Sequence, residues 1–377
     1  MNYREIILET IQETYPKYLQ QKLIKKLEEN CIITKTNDLL SISNIAIMNT
    51  PQNHFKTIKD AIDINTTKTL EIIEKMEFEV AYKYSVLFEL NKPLTPLLHE
   101  MIKKNLITQN TNSQYTNDSV SDNIINGKPT IINTDKDVII LKFSNLITGF
   151  SSLEAKKKAV KYPILVLYYR EYGVIEIKLD TIKSYLKNGN DNFYIDKINA
   201  IKDWFYKNSE DFALIPFNLV PIVDFIAKNK SKEVELAAQA MNYMSGSKVT
   251  LDTGKNNTPI LPLLGDLKKI ISENDELFDA NDETKQIGEL LNKFIKQTED
   301  TADLPWISLR WPNSTKSKII RVKFSFNEKN SSYDMLQYYD TSNTEMGRMI
   351  DVTKYIIENR AQYELSKITT SGEEEIS

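Results

Sequence analysis

With a single cysteine, Cys31, and two histidines, His54 and His99, in 377 residues, the chain lacks the material for an internal disulfide, a cysteine-based zinc site or histidine-centred general-base chemistry. Cys31 reads as a small buried thiol, and each histidine as a structural or surface residue. Glycine is scarce, at ten residues. The one stretch resembling a phosphate loop, 246–256, spaces Gly246 and Gly254 too widely and puts Asn256 after Lys255, where a hydroxyl is required. The acidic string 273–283 carries Asp279, Asn281 and Glu283 at alternate positions, but Thr284 and Leu290 stand where a calcium loop needs glycine and a distal glutamate. It reads as a solvated helix end or loop. No cofactor and no metal is expected. Long apolar runs are also missing: none approaches the ~18 residues of a membrane span. The opening MNYREIILETIQETYPKYLQ has acids where a secretory leader has a basic flank. The chain reads as a cytoplasmic protein with no membrane association.

What is present is enough for a core, since 41% of the residues are apolar and 10% aromatic. The length exceeds one ordinary core, which calls for two domains or one domain with a large insert. The net charge of -4 is uneven: residues 196–304 carry 13 Lys and Arg against 19 Asp and Glu. No domain-length segment is basic, as phosphate neutralisation in a protein that coats DNA would demand.

The strongest pattern is Tyr162 to Asp180, YPILVLYYREYGVIEIKLD. An apolar run meets a polar break at Arg170 to Gly173, then alternates, with Ile175, Ile177 and Leu179 apolar and Glu176, Lys178 and Asp180 charged. This is a β-hairpin. Its first arm suits a central strand covered on two sides, and its second suits a strand with one wet face.

Residues 1–108 read as a helical N-terminal module. Tyr3, Ile6, Ile7 and Ile11 make a helical stripe that Leu19, Leu23, Ile24 and Leu27 continue after Pro16. Residues 55–76 have the outline of a helix-turn-helix with Asn65 as N-cap, although Lys68 and Lys75 are balanced by Glu71 and Glu74. The alternation from 77 to 90 fits both periodicities, and the absence of breakers together with the spacing of Glu71 to Lys75 and Glu79 to Lys83 favours helix. A polar linker follows at 109–136. The remainder, 137–367, reads as a sheet domain: a strand at 137–143, a helix-like segment around Lys156, Lys157 and Lys158, the hairpin, an acidic helical insert at 196–304 including VELAAQAMNYM, a second hairpin at 305–326, an edge strand MLQYY and a closing helix. The tail 368–377 reads as disordered and acidic. The fold class is α+β, a helical N-terminal module followed by a mixed or antiparallel sheet domain with a large helical insertion.

Two places offer chemistry. Between Trp306 and Lys329 lie six basic residues and one acid. Strand parity puts Arg321 and Lys323 opposite Ile320, Val322, Phe324 and Phe326, with Arg310 on the parity of Trp306 and Ser308. This basic ribbon, with Lys316, Lys318, Trp306 and Trp311, is expected to meet nucleic acid or an acidic protein partner. Elsewhere, Glu176-Ile177-Lys178 resembles the E-x-K half of the PD-(D/E)XK nuclease signature. The resemblance implies metal-dependent cleavage, with Glu176 holding Mg²⁺ and Lys178 positioning the attacking water. For the upstream acid that the family needs, Asp137 heads a strand but lies 39 positions earlier, and Glu154 sits in the lysine-rich helix-like segment. The favoured expectation is therefore a non-enzymatic binding or assembly component acting through 306–326. A nuclease centred on Glu176 and Lys178, or a purely structural subunit of a larger complex, are the alternatives.

Overall fold

The computed structural model describes residues 1–35, 46–48, 53–109, 115–133, 137–209, 211–242, 248–252, 262–300, 303–312, 319–327, 331–339 and 344–374. These build an α+β fold with a helical N-terminal region. They fall into two compact units, one drawn from 1–217 and 341–351 and the other from 218–340 and 352–377. No helix among the described residues is long and apolar enough to cross a membrane.

In the first unit α1 (Tyr3–Thr14) opens on a reciprocal cap: Asn2 Oδ1 accepts the Glu5 N–H at 2.9 Å, and Glu5 Oε2 accepts the Asn2 N–H. α2 (Lys17–Glu29) starts directly after Pro16. Their stripes, Ile6, Ile7 and Ile11 with Leu19, Leu23 and Leu27, are buried as the spacing requires. β1 (Ile33–Lys35) and β2 (Ala46–Met48) form a short parallel pair. Cys31, expected to be buried, is instead exposed, because it takes a positive φ in the turn that ends α2 and points away from the core. α3 (His54–Ile64) and α4 (Thr66–Met76) meet at Asn65, whose side chain accepts the Lys68 N–H.

The expected continuation of helix to residue 90 does not occur. α4 stops at Met76, and β3 (Tyr84–Leu90) pairs with β8 (Val174–Leu179) and β9 (Leu214–Pro216). Sheet pairing wins over the i,i+4 charge spacing because Ser85 through Phe88 are all buried, which a solvated helix face would forfeit. After α5 (Leu94–Lys103), the strands β4 (Thr108–Gln109), β5 (Thr130–Asn133), β6 (Val138–Ser151) and β7 (Lys156–Tyr169) complete a mixed sheet in the order β3-β8-β7-β6-β5-β4. Only β4 and β5 run parallel within that order. The segment around Lys156 to Lys158, expected to be helix-like, is the start of β7. It pairs with β6 over fourteen residues, from Val138 opposite Tyr169 to Ser151 opposite Lys156. Because β8 covers β7 only from Leu165 onward, the rest of that edge is free for other partners. α1 supplies them: Thr10 Oγ1 accepts the Lys161 N–H at 2.8 Å, and Glu9 Oε2 accepts that of Ala159. α6 (Phe193–Asn208) packs on the other side, with Trp204 edge-on to Phe143 and Phe193 edge-on to Tyr162.

The 162–180 hairpin is present, turning through Gly173 at φ 62°. Its second arm departs from expectation, since β8 is buried on both faces and has no wet side.

The second unit holds α7 (Val220–Asn229), β10 (Glu235–Asn242), β11 (Lys248–Asp252), α8 (Pro262–Glu273), α9 (Asp275–Phe278), α10 (Asp282–Asp300), β12 (Asp303–Trp311), β13 (Ile320–Ser325), β14 (Met335–Tyr339) and most of α11 (Met346–Glu374). Its strands are antiparallel in the order β11-β10-β12-β13-β14. VELAAQAMNYM, expected to be helical, lies largely in β10, where it pairs with both β11 and β12. Residues 196–304 thus contribute strands β9, β10 and β11 alongside helices. Helices α8 to α10 close on a small core of their own, Ile271 and Ile295 with Leu267, Phe278 and Leu291. Of the 246–256 stretch, 248–252 form β11, and the rest lies outside the described residues. α11 runs on to Glu374, through most of the expected acidic tail; 375–377 lie outside the described residues.

Candidate functional site

Antiparallel register in the second unit aligns side chains into rows on one face of the sheet. Glu235, Arg310, Arg321 and Tyr339 face one another across β10, β12, β13 and β14, and Ser308, Lys323 and Gln337 form the adjacent row. Residues two apart share a face, so Trp306, opposite Ser325, completes a third row. The opposite face is the core side, where Ile307, Leu309, Ile320, Val322, Phe324, Leu336 and Tyr338 are buried.

On the open face the cations rest on rings. Lys323 Nζ stands 4.7 Å from the centre of the Trp306 ring, and the Arg321 guanidinium 5.5 Å from that of Tyr339. Such contacts contribute about 0.5–1 kcal/mol at exposed sites and more when desolvated. Arg321 also donates from Nε to Ser308 Oγ at 2.9 Å, which fixes its fork. Arg310 is half-buried, 3.3 Å from Glu235. Trp306, Arg310, Arg321, Lys323 and Tyr339 are all partly exposed. Three positive charges and one acid stand on this face, with two aromatic rings among them.

Sequence parity placed Arg310, Arg321, Lys323 and Trp306 together, and the structure brings them onto one face. Trp311 does not join them. It sits on the core side at 6% exposure, 6.2 Å from Phe324 and edge-on to Tyr355 at the same distance, because odd and even positions of a strand face opposite ways. Lys316 and Lys318 lie outside the described residues. Tyr339, which the sequence reading left out, enters through the β13 to β14 pairing; its signal is the MLQYY motif.

Glu176 and Lys178, expected on a wet face, are 0% exposed. Lys178 Nζ donates to Glu176 Oε1 at 2.6 Å, and the Tyr169 hydroxyl donates to Glu176 Oε2 at 2.7 Å. Burial pulls the Lys178 ammonium below its usual range, with Glu176 opposing. A carboxylate closed in by its own lysine and a tyrosine cannot present itself to Mg²⁺ and a phosphodiester. Asp137 is exposed ahead of β6, unlike the sealed pair. No group of three or more acidic, histidine or cysteine side chains among the described residues is placed to hold a metal ion. The helix-turn-helix outline is likewise committed to packing: Thr69, Leu70, Ile72, Ile73, Glu74 and Met76 of α4 are buried, and Lys75 is paired with Glu71. His99 is exposed and His54 partly so.

Sequence reading missed a buried charge cluster in the first unit. Lys142 Nζ lies 2.5 Å from Glu74 and 2.7 Å from Glu77, while Lys161 contacts both acids, the latter at 2.7 Å. Tyr3 donates its hydroxyl to Glu74. Burial works to raise the Glu74 carboxyl, but Lys142 and Lys161 hold it well below the usual range. Nearby, the buried Lys158 is ringed by Glu154 at 2.6 Å, Glu13 at 3.1 Å and Glu9 at 3.3 Å. Lys142, alone in the apolar run VIILKF, was the readable signal, since an inward lysine requires a buried acid. Glu74, Glu77, Lys142 and Lys161 are enclosed and neutralise one another, whereas the Lys158 group reaches solvent through Glu154. The sequence matches no protein-family model, and no curated protein sequence matches it.

Proposed function

We propose that this protein is a non-enzymatic, cytoplasmic binding or assembly component that takes single-stranded nucleic acid on the open face of β10, β12, β13 and β14. The observation that carries the reading is the pairing of Lys323 with Trp306 and of Arg321 with Tyr339 on one partly exposed sheet face. Rings on a sheet offer stacking that every base can use, at about 1–3 kcal/mol per base, and adjacent cations neutralise the phosphates between bases. Arg310 extends the cationic row next to Arg321. The overall charge of -4 supports local rather than global attraction, and so a short contact.

Fluorescence anisotropy with labelled single strands and duplex of the same length tests this. Single strands should bind more tightly than duplex, and Trp306→Ala should weaken single-strand binding at every sequence. If Arg321→Gln with Lys323→Gln leaves binding unchanged in a folded protein, the reading fails. If the double variant instead loses only competition by an acidic polypeptide, the face belongs to a protein partner.

A further inference from the structure

A second concavity, in the first unit, is independent of the sheet face above. An open cleft of about 580 Å³ lies between β6, the loop that follows β8, and the start of α6. That volume is within the range of small-molecule pockets. Its walls are fastened in place. Asn188, in the left-handed conformation at φ 52°, donates from Nδ2 to the Thr148 carbonyl at 2.8 Å. Asn190 donates to Asp196 Oδ2 at 2.8 Å and accepts the Asn192 N–H. Gly149 allows β6 to approach the loop, since a Cβ there would stand 2.4 Å from the Tyr185 carbonyl oxygen.

The lining sorts into three chemistries. Ile147, Leu186 and Phe193 supply an apolar floor. Asp122 and Asp196 offer carboxylates. Lys157, Lys187 and Lys197 also line it: the Lys187 ammonium lies 4.6 Å over the Tyr194 ring, and that of Lys197, half-buried, lies 5.6 Å from the centre of the Phe193 ring and donates to Asn145. Burial draws the Lys197 ammonium below its usual range, with Asp196 opposing. An arriving anion would relieve that cost. The first turn of α6, a helix of sixteen residues, opens on the same space and favours negative charge.

We propose that this cleft binds a nucleoside monophosphate: the base against the floor at Phe193, the ribose hydroxyls at the carboxylates, and the phosphate among Lys157, Lys187 and Lys197. A free phosphate would leave the floor and the carboxylates unused, and an uncharged nucleoside would leave the lysines unmatched.

Isothermal titration of the full-length protein with AMP, GMP, CMP and UMP tests the assignment, with adenosine and inorganic phosphate as partial probes. At least one monophosphate should bind saturably at one site, and its nucleoside and inorganic phosphate should each bind more weakly. Lys187→Gln should weaken binding roughly ten- to hundredfold, the size of a lost charge-assisted hydrogen bond. Lys197→Gln should do the same, and if it perturbs folding through Asn145, Lys187→Gln and the exposed Lys157→Gln decide alone. The variant Arg321→Gln with Lys323→Gln should leave this binding unchanged, which separates the cleft from the sheet face. Absence of saturable binding by all four monophosphates overturns the proposal, as does binding that Lys187→Gln and Lys157→Gln leave intact.

Discussion

Glu176 and Lys178 sit two residues apart on β8 with 2.6 Å between Oε1 and Nζ and no exposure of either side chain. A pair so enclosed responds to mutation in a way opposite to a catalytic pair. Glu176→Ala should lower stability by about 3–5 kcal/mol, because it strands a buried ammonium. Replacing both residues with leucine should be far less damaging than the single change. Urea unfolding of the three proteins checks this. A well-folded Glu176→Ala protein of unchanged midpoint would show that the pair is not closed to water, and metal-dependent cleavage by wild type that this variant lacks would restore the nuclease.

The acid limb of stability should be steep. Burial works to raise the Glu13 carboxyl, but hydrogen bonds from Lys183, Tyr185 and Lys158 outweigh it and hold the group at about 2, against 4.5 ordinarily. A carboxyl depressed on folding contributes stability that is complete above its unfolded value and lost as pH falls through that interval. Glu74 is depressed in the same sense. Urea midpoints should therefore drop between pH 5 and 2. The variant Lys183→Met with Tyr185→Phe should begin lower and fall less; an identical pH slope would remove Glu13 from the account.

Gly149→Ala adds a single methyl whose nearest neighbours, the Tyr185 carbonyl oxygen at 2.4 Å and Leu186 Cα at 2.8 Å, are backbone atoms unable to rotate away. The strand and loop must part, at about 1–3 kcal/mol by analogy with overpacked cores. Thermal melting reports the loss. A melting temperature equal to wild type would mean that the loop has slack.

Salt provides the sharpest reading of the sheet face. If Arg321 and Lys323 each neutralise a phosphate, the double glutamine variant should reduce the slope of log affinity against log salt for single strands by about 1.4, which is 0.7 for each contact. A slope unchanged within error would mean that neither side chain meets phosphate.

Much of this was legible where local chemistry decides. Asn65 marks the α3 to α4 junction through its own side chain, and the parity of Arg321 and Lys323 follows from the two-residue period of a strand. The failures lie where distant partners decide. Glu176 and Lys178 alternate with apolar residues as a solvated strand face does, and only the covering of β8 on both sides shows that they answer each other. Glu74 and Glu77 find Lys142 and Lys161 between 65 and 87 residues away, beyond any periodicity. Ala237, Ala238 and Ala240 of β10 favour helix by propensity, and strand partners on two sides override it.

The docking of α1 along the uncovered edge of β7 also sets a clock on biosynthesis. Thr10 and Glu9 must wait for the amides of Lys161 and Ala159, 151 and 150 residues later in the chain. At ~5–20 residues per second the first helix spends about 8 to 30 s outside the ribosome before its strand exists. Through that interval the Thr10 hydroxyl and the Glu9 carboxylate have only water to bond, so this edge of β7 closes only after β7 itself has been made.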